Sequence, residues 1–397
     1  MKAQEEGNPL LSWTFAMAGC RQVISLGLHR RNTVKNDPFD IAEDKRQVFW
    51  SYYIVDKNLS LNMGYASTIQ DYDIDTEYFQ ISTDPGVAPW DEAALAMVEF
   101  SRVQGLIYEK LYSLRALRMS GDDRSAAVHD LSCQLQIWHQ EWTQVNIRAA
   151  PIVPLALTTL EQIDGNSAYL PTFFFLIYGA FDVVYYSVMT TLNRAATASG
   201  PSIEITSACY EAAKESLQAH LHFFPAFRSY GNGEVLASYL AWILLYASWT
   251  PLIVVFLHAI ASSSQDDVKL LEETEESLEP LKKLNRQSEQ MYGLCKNFHK
   301  LAKHFVEQHS TFVGTYNPQQ DMVVFPQKNM EGNPANVQSM PSMQYANGQW
   351  GGGPEVQIPS SDGPEIDGMS MFLGNWLGTN QPVSNLWMHD FAENVEE

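Results

Sequence analysis

Acidic residues and histidines are the groups with which this sequence could do chemistry, and Asp56 is the sharpest case. It stands inside an aromatic-rich, apolar stretch, and a buried carboxylate needs a cation or several hydrogen-bond donors. The candidate cations are Arg46, Lys57, Arg30 and Arg31. A catalytic carboxylate would also need a partner acid or base in a cleft, and no such pair is recognisable. We therefore expect Asp56 to form a structural ion pair; solvent exposure and catalysis are the lesser alternatives.

The histidines offer no clear metal or general-base arrangement. His299, His304 and His309 recur every five residues, so successive rings diverge by about 140° on a helix. We expect these three to be solvated. The other histidines considered are His129, His139, His220 and His222. His129 and His139 have no carboxylate partner that can be assigned from the sequence, and His220 and His222 point in different directions on a helix. Each is expected to be a core or surface histidine.

Known catalytic motifs are also missing from the sequence. GxxxxGK[ST], GxGxxG, GxSxG and HExxH do not occur, which argues against phosphate-binding loops, dinucleotide sites, hydrolase elbows and zinc proteases. The four cysteines form no CxxC pair, so neither a disulfide framework nor a zinc site is indicated. We expect no catalytic residue, no metal ligand and no bound cofactor.

Charge narrows the possible partners. The 397 residues carry a net charge of −21, and such a chain repels the phosphates of nucleic acids. We therefore expect no direct binding to DNA. Widely spaced cysteines and the lack of a basic, apolar leader fit a cytosolic or nuclear protein.

One segment has the composition of a membrane span. Residues 235–265 contain no Asp, Glu, Lys or Arg, and about 20 apolar residues suffice to cross a bilayer. Pro251 interrupts this segment, hydroxyl residues dilute it, and no nearby Lys or Arg anchors it. We expect two buried helices broken at Pro251, with a membrane span as the alternative.

The remaining elements all read as helices. Asn8-Pro9 opens the first helix, and Asp40 to Glu43 resembles a capping box for a second helix that runs to about Asn62 before Gly64. Its apolar stripe is Val48, Tyr52, Val55 and Leu59. Later helices are expected at 90–118, 124–148, from near Pro171, at 204–223, 234–260 and 266–308, with a break near Pro280. The prediction is an all-α, multi-helix regulatory domain over residues 1–308.

Composition changes at about Gln308. From Ser310 onward the chain has ten acidic residues and one basic residue, among Gly, Pro, Asn, Gln and Ser. Such a segment cannot bury enough apolar surface to fold, so residues 309–397 are predicted to be a disordered acidic tail. Two clusters of bulky residues stand among its acids: Phe372, Leu373, Trp376 and Leu377, then Leu386, Trp387, Met388 and Phe391. Acidic and aromatic alternation is typical of activation regions; aromatics that pack back on the domain are the alternative.

Two stretches, "AMAGCRQVISLGLHRR" and "EDKRQVFWSYYIVDKNLSLNMGYASTIQDYDID", resemble the core signature of the fungal-specific transcription factor domain, the middle homology region of binuclear zinc cluster regulators. The matching residues are Leu26, Gly27, Leu28, His29, Arg30, Phe49, Trp50, Asp56, Leu59, Ser60, Gly64, Asp73 and Asp75. The resemblance covers about residues 10–308, and beyond the two stretches it rests on "YYSVMTTLNRAA" and on residues 250–273. It implies that the matching residues form a framework and not a catalytic site.

Two departures from the family pattern affect what can be carried over. Family members usually begin with six cysteines that bind two zinc ions, followed by a basic linker and a coiled coil, and the signature usually lies deeper in the domain. Here the Leu-Gly-Leu-His-Arg sequence begins at Leu26. The domain is therefore expected to be N-terminally incomplete, with zinc only if a separate N-terminal cluster exists.

The resemblance implies a nuclear transcription regulator that controls a metabolic or secondary-metabolite gene set. Its expected partners are transcriptional coactivators or a partner regulator, with homo- or heterodimerisation open. The alternative is an interaction or effector-binding module that modulates another regulator. A membrane-associated helical protein or an enzyme is the third, less favoured hypothesis.

Overall fold

The computed structural model describes residues 9–85, 87–149, 169–197, 205–229, 233–244, 247 and 249–313. Within these ranges the regular elements are helices and no strand occurs, which confirms the predicted all-α fold. The α-helices in chain order are α1 (Pro9–Ser25), α2 (Arg31–Val34), α3 (Phe39–Met63), α4 (Ala88–Ile107), α5 (Gly121–Ala149), α6 (Tyr169–Arg194), α7 (Ser207–Ser229), α8 (Gly233–Tyr239), α9 (Thr250–Ser262), α10 (Gln265–Leu278) and α11 (Arg286–Val313). The tail clusters from Phe372 to Phe391 lie outside the described residues.

Proline and glycine set several of the helix ends. Helix α1 begins at Pro9 as predicted, and Pro251 lies in the first turn of α9, where a missing N–H costs nothing. Helix α3 ends at Gly64, whose φ of 70° is left-handed and suits glycine. The predicted capping box is wrong: Pro38 precedes α3, so Asp40 lies inside the first turn and no side chain caps the helix.

The predicted apolar stripe of α3 is also wrong. Val48 is 46 % exposed, and Tyr52, Val55 and Leu59 are only partly buried. The buried positions instead include Phe49, Trp50, Tyr53, Asp56, Lys57 and Ser60. This face is mixed in polarity because a loop, and not only another helix, covers it.

A small first core forms where α1, α3 and the start of α4 meet. Its buried members are Met17, Cys20, Val23, Leu28, Phe49, Trp50, Tyr53, Ile69, Phe79 and Val98. Helices α1 and α3 approach closely at Gly19, where a Cβ atom would lie 2.2 Å from the Tyr52 ring. Glycine at this position therefore lets the two helices touch.

A larger second core lies among helices α4 to α11. Phe100 of α4 packs against Trp138 of α5 and Phe181 of α6, with ring centroids 4.6 and 5.0 Å away. Further along, Phe256 of α9 stacks on Phe298 of α11 at 4.4 Å. The segment considered as a membrane span contributes buried residues to this core, for example Ile253 and Val255. In the described part of the chain, no helix has the length and apolar character needed to cross a membrane.

Candidate functional site

Asp56 is completely buried, and its partners are backbone amides of the acidic loop, residues 65–85. Its two carboxylate oxygens each accept a hydrogen bond of 2.9 Å, from the N–H of Thr68 and the N–H of Ile69. The prediction that Asp56 forms a side-chain ion pair is therefore wrong. Main-chain N–H groups bind its carboxylate in place of a cation. Burial raises the pKa of Asp56 above its ordinary value, while the two hydrogen bonds and the nearby Lys57 act in the opposite direction.

Lys57, also buried, holds the same loop from the other side. Its ammonium group donates to Ile69 O at 2.7 Å and Ser67 Oγ at 3.0 Å, and lies 3.0 Å from Asp71 Oδ1. Three acceptors match the three N–H donors of a lysine. Asp56 and Lys57 together form a clamp, the Asp56–Lys57 clamp, that fixes residues 67–71 against α3. The apolar stem of Lys57 passes Gly105 of α4, where a Cβ would lie 2.9 Å from Cδ.

The other polar signature residues fix the far end of the acidic loop. The carbonyl oxygen of His29 accepts hydrogen bonds from the N–H groups of Asp75 and Thr76, each at 3.1 Å. Asp73 pairs with Arg30, and Asp75 accepts a bond of 2.7 Å from the N–H of Arg31. The Leu-Gly-Leu-His-Arg turn and the Asp-x-Asp loop, distant in sequence, therefore lie side by side.

The apolar and glycine signature residues shape the elements around this loop. Gly27 has a φ of 72°, which turns the chain sharply after α1. Leu28, Phe49 and Trp50 belong to the first core, and the Trp50 indole donates to Glu77 O at 3.0 Å. Leu26 differs from its neighbours in the signature, because it is 56 % exposed.

Histidines pair with carboxylates at three helix contacts, which the sequence did not indicate. His139 of α5 lies 2.9 Å from Asp182, and His258 of α9 lies 2.6 Å from Asp267. His299 was expected to be solvated, but it is buried with Nδ1 at 2.7 Å from Glu275. The described residues hold no group of His, Cys, Asp and Glu arranged to bind a metal.

His220 is the buried histidine of the second core. Its Nδ1 lies 2.8 Å from the Tyr239 hydroxyl and its Nε2 lies 2.7 Å from Ser277 Oγ. Ser277 donates its proton to Thr274 O, so it accepts from Nε2–H, and Tyr239 donates to Nδ1. Burial lowers the pKa of His220 to about 4, so the ring is neutral at physiological pH.

A cavity of about 50 Å³ lies beside His220. Leu217, Leu252 and Leu278 are among its largely apolar lining. Sites for small organic ligands are several times larger, at about 300–1,000 Å³. The cavity therefore has room for a few solvent-sized molecules, and it does not support the effector-binding alternative.

No catalytic arrangement emerges from these groups. Asp56 is enclosed with its oxygens already bonded, and His220 has both ring nitrogens bonded to hydroxyl groups. The geometry supports a framework in which α3 holds the acidic loop and the turn that follows α1 holds its far end. Sequence reasoning identified Asp56, His29, Arg30, Asp73 and Asp75, but it named Lys57 only as a possible cation for Asp56.

The family model for the fungal specific transcription factor domain matches residues 7–140, which include both signature stretches and the Asp56–Lys57 clamp. The predicted resemblance to this family is thus confirmed over these residues. No solved structure matches the chain.

Similar proteins come from several fungi. An ABC-transporter-regulating transcription factor of Aspergillus fumigatus is 23 % identical over 334 residues, covering 75 % of this chain and 34 % of the relative. An uncharacterised transcriptional regulatory protein of Schizosaccharomyces pombe is 26 % identical over 255 residues, covering 61 % of this chain and 37 % of the relative. The chain thus spans about a third of the length of these relatives.

Proposed function

We propose, from the premise that residues 7–140 carry a fungal specific transcription factor domain, that the chain regulates transcription in the nucleus. The observation that carries the proposal is the match of this domain over the Asp56–Lys57 clamp and the loop it holds. Named transcription factors among the relatives support it. The helical domain acts as a scaffold, and no reaction is assigned to it.

The tail supplies the activating contact in this proposal. Ten acids against one base keep its aromatic residues in solution. Phe372, Leu373, Trp376 and Leu377 would share one face if this segment became helical, because they stand at i, i+1, i+4 and i+5. Such a face fits an apolar groove of a transcriptional coactivator.

A reporter assay tests this function directly. The full chain is fused to a heterologous DNA-binding domain, and expression from the matching promoter is measured. We expect activation, and we expect most of it to be lost when Trp376, Leu377, Trp387 and Phe391 are replaced by Ala. Replacing Val323, Val324 and Phe325 by Ala is the matched control, because it removes apolar groups of the tail outside both clusters. A silent fusion, or a quadruple variant as active as the parent, would refute the activating role.

The proposal includes no direct contact between this chain and DNA. Because the net charge is −21, we expect the purified chain to give no sequence-specific footprint on duplex DNA at about 0.15 M salt. A footprint would contradict this part of the proposal. In this proposal the DNA sequence is read by a different regulator bound as a heterodimer, because a second copy of this chain carries the same charge of −21.

Two sets of genes are candidate targets of the regulator. The family resemblance favours a metabolic or secondary-metabolite gene set, whereas the printed name of the Aspergillus relative favours genes for ABC transporters. Transcript profiling after deletion of the gene distinguishes them, because the reduced transcripts would encode either biosynthetic enzymes or transporters.

A further inference from the structure

Three polar side chains of helices α3 and α4 are completely buried, and part of each has no hydrogen-bond partner among the described residues. Asn58 of α3 and both Ser101 and Gln104 of α4 are 0 % exposed. The atoms without a partner are Asn58 Nδ2, Ser101 Oγ, and both Nε2 and Oε1 of Gln104. The large majority of buried side-chain polar atoms in folded proteins are hydrogen-bonded, because an unbonded one loses its hydration for nothing. Four such atoms on two neighbouring helices therefore point to a bound molecule.

Helices α3 and α4 run in the same direction where they pack together. Tyr78 of the acidic loop contacts both of them, since its ring lies 4.8 Å from the Trp50 ring and its hydroxyl donates to Glu99. Further along both helices, the stem of Lys57 passes Gly105. The contact thus advances toward the C-terminus of each helix, and Lys57 and Gly105 face each other across it.

This common direction places the three buried side chains on one side of the helix contact. Successive residues of a helix are rotated by about 100°, so Asn58 lies about 100° to one side of Lys57. Gln104 lies about 100° from Gly105 in the opposite sense, and Ser101 lies about 40° from it in that same sense. In parallel helices, opposite rotations from two facing residues lead to the same side. Asn58, Ser101 and Gln104 therefore lie together beside the contact.

We propose that buried water binds between α3 and α4 and bridges Asn58, Ser101 and Gln104. The amide nitrogens of Asn58 and Gln104 are donors, Gln104 Oε1 is an acceptor, and the Ser101 hydroxyl can be either. This set is neutral and mixes donors with acceptors, which suits water better than a metal ion or an anion. A buried water makes about three hydrogen bonds, so four atoms support roughly one or two molecules. We name this place the α3–α4 water site.

Direct pairing among the three residues is the rival arrangement, and it leaves more atoms unbonded. Ser101 and Gln104 stand three residues apart on α4, so they are neighbours on its surface. A bond between them would satisfy Ser101 and one end of Gln104 only. Asn58 has its carboxamide oxygen occupied, since it accepts a bond of 3.2 Å from Asn62 Nδ2. Water carries two donors and two acceptors, so it can serve all four atoms.

The α3–α4 water site would join two parts of the scaffold that are otherwise in apolar contact. Helix α3 carries the Asp56–Lys57 clamp, and Phe100 of α4 belongs to the second core. Bridging water therefore adds a polar connection between the helix that holds the acidic loop and the helix that continues into the larger core. This inference does not depend on the proposed role in transcription.

Oxygen-17 magnetic relaxation dispersion of the full chain tests the site, because it counts water molecules that reside for a long time inside a protein. We expect the variant Gln104→Met with Ser101→Ala to hold roughly one or two fewer long-lived waters than the wild type. Gln47→Met with Ser51→Ala is the matched control, since it makes the same substitutions at exposed positions of α3. We expect the control to keep the wild-type count.

A crystal structure of the wild-type chain locates the water and decides the question if the Gln104→Met, Ser101→Ala variant does not fold. We expect water density at about 2.7–3.2 Å from Ser101 Oγ and from the Gln104 carboxamide. Density that shows direct bonds among Asn58, Ser101 and Gln104, with no water between them, would overturn the proposal. An equal count of long-lived waters in the folded variant and the wild type would overturn it as well.

Discussion

In the first core, Asp56 and Lys57 are buried as ionisable groups that bind main-chain atoms of a loop, whereas in the second core His220 is buried as a neutral ring between two hydroxyl groups. The first arrangement holds an irregular segment whose N–H and C=O groups have few partners of their own. The second connects helices that already satisfy their own backbones. Ionisable side chains thus order the acidic loop in the first core, whereas neutral polar contacts suffice around His220 in the second.

The size of each core is consistent with this difference. The first core has far fewer buried apolar side chains than the second, so polar contacts make up a larger share of what fixes its structure. The second core joins most of the helices through aromatic and aliphatic contacts, and burial of apolar area is its main source of stability. Substitutions that remove polar contacts should therefore matter most in the first core.

The largest effect is expected for Asp56→Ala. The substitution leaves the N–H groups of Thr68 and Ile69 buried without an acceptor, and each such loss costs about 1–3 kcal/mol. We predict a free energy of unfolding lower by about 3–5 kcal/mol, measured by urea denaturation. Asp73→Ala is the control, because Asp73 is half exposed and its ion pairs are screened by solvent. Equal stability of Asp56→Ala and the wild type would show that the clamp does not hold the loop.

A smaller effect is expected for Gly19→Ala, which tests the apolar contact of the first core. The added methyl group would overlap the Tyr52 ring, so α1 and α3 must separate or the ring must move. Overpacking of this kind costs about 1–3 kcal/mol. Gly121→Ala is the matched control, since nothing lies within 4 Å of a Cβ there. Equal melting temperatures for Gly19→Ala and Gly121→Ala would contradict close contact between α1 and α3.

The pH dependence of stability tests the second core. His220 has a folded-state pKa of about 4, below its ordinary value of 6.5. As pH falls from about 6.5 toward about 4, the unfolded chain takes up a proton that the folded chain refuses, so stability decreases by up to about 1.4 kcal/mol per pH unit. We predict that His220→Gln reduces this slope and that His222→Gln, at an exposed neighbouring histidine, does not.

Asp56 contributes to the same pH profile with the opposite sign. The pKa of Asp56 is raised in the folded state, so the folded chain holds this proton more tightly than the unfolded chain does. The stability gained in this way is lost as pH rises through the folded-state pKa. This contribution is present in the wild type and in both histidine variants, so it cancels in the comparison. Identical slopes for all three proteins would mean that His220 is accessible to protons in the folded state.

The smallest effect is expected for Lys269→Ala on α10. Lys269 and Glu273 form an exposed ion pair one turn apart, with 3.6 Å between Nζ and Oε1. Exposed pairs of this kind contribute about 0.3–0.5 kcal/mol. We predict a change in melting temperature within about 2 °C. A larger change would mean that surface charge, and not the cores, governs the stability of the helical domain.

The positions of the helices were predictable because proline, glycine and periodicity are local signals. Pro9, Gly64 and Pro251 marked boundaries that the structure shows within about a residue or two. Lateral packing was not predictable in the same way. The stripe from Val48 to Leu59 was judged by apolar residues alone, whereas the buried side of α3 is decided by a loop that supplies partners for Asp56 and Lys57.

The candidate site was predictable as a set of residues but not as a set of contacts. The signature identified Asp56, His29 and Asp75, yet two of the main contacts use backbone atoms, which carry no sequence signal. Asp56 binds the N–H groups of residues 68 and 69, and the carbonyl of His29 binds those of residues 75 and 76. The histidine–carboxylate pairs were missed for a related reason, since His139 and Asp182 lie on different helices.

Main-chain recognition of the acidic loop also affects how the protein can evolve. Asp56, Lys57, His29 and Trp50 grip the loop largely by N–H and C=O groups that every residue except proline provides. The path of the loop is therefore fixed while many of its side chains stay free to change; Tyr72, for instance, is 88 % exposed. A lineage can vary these outward positions by point mutation without loosening the scaffold, so the loop is suited to diversify contacts among descendants of one fold.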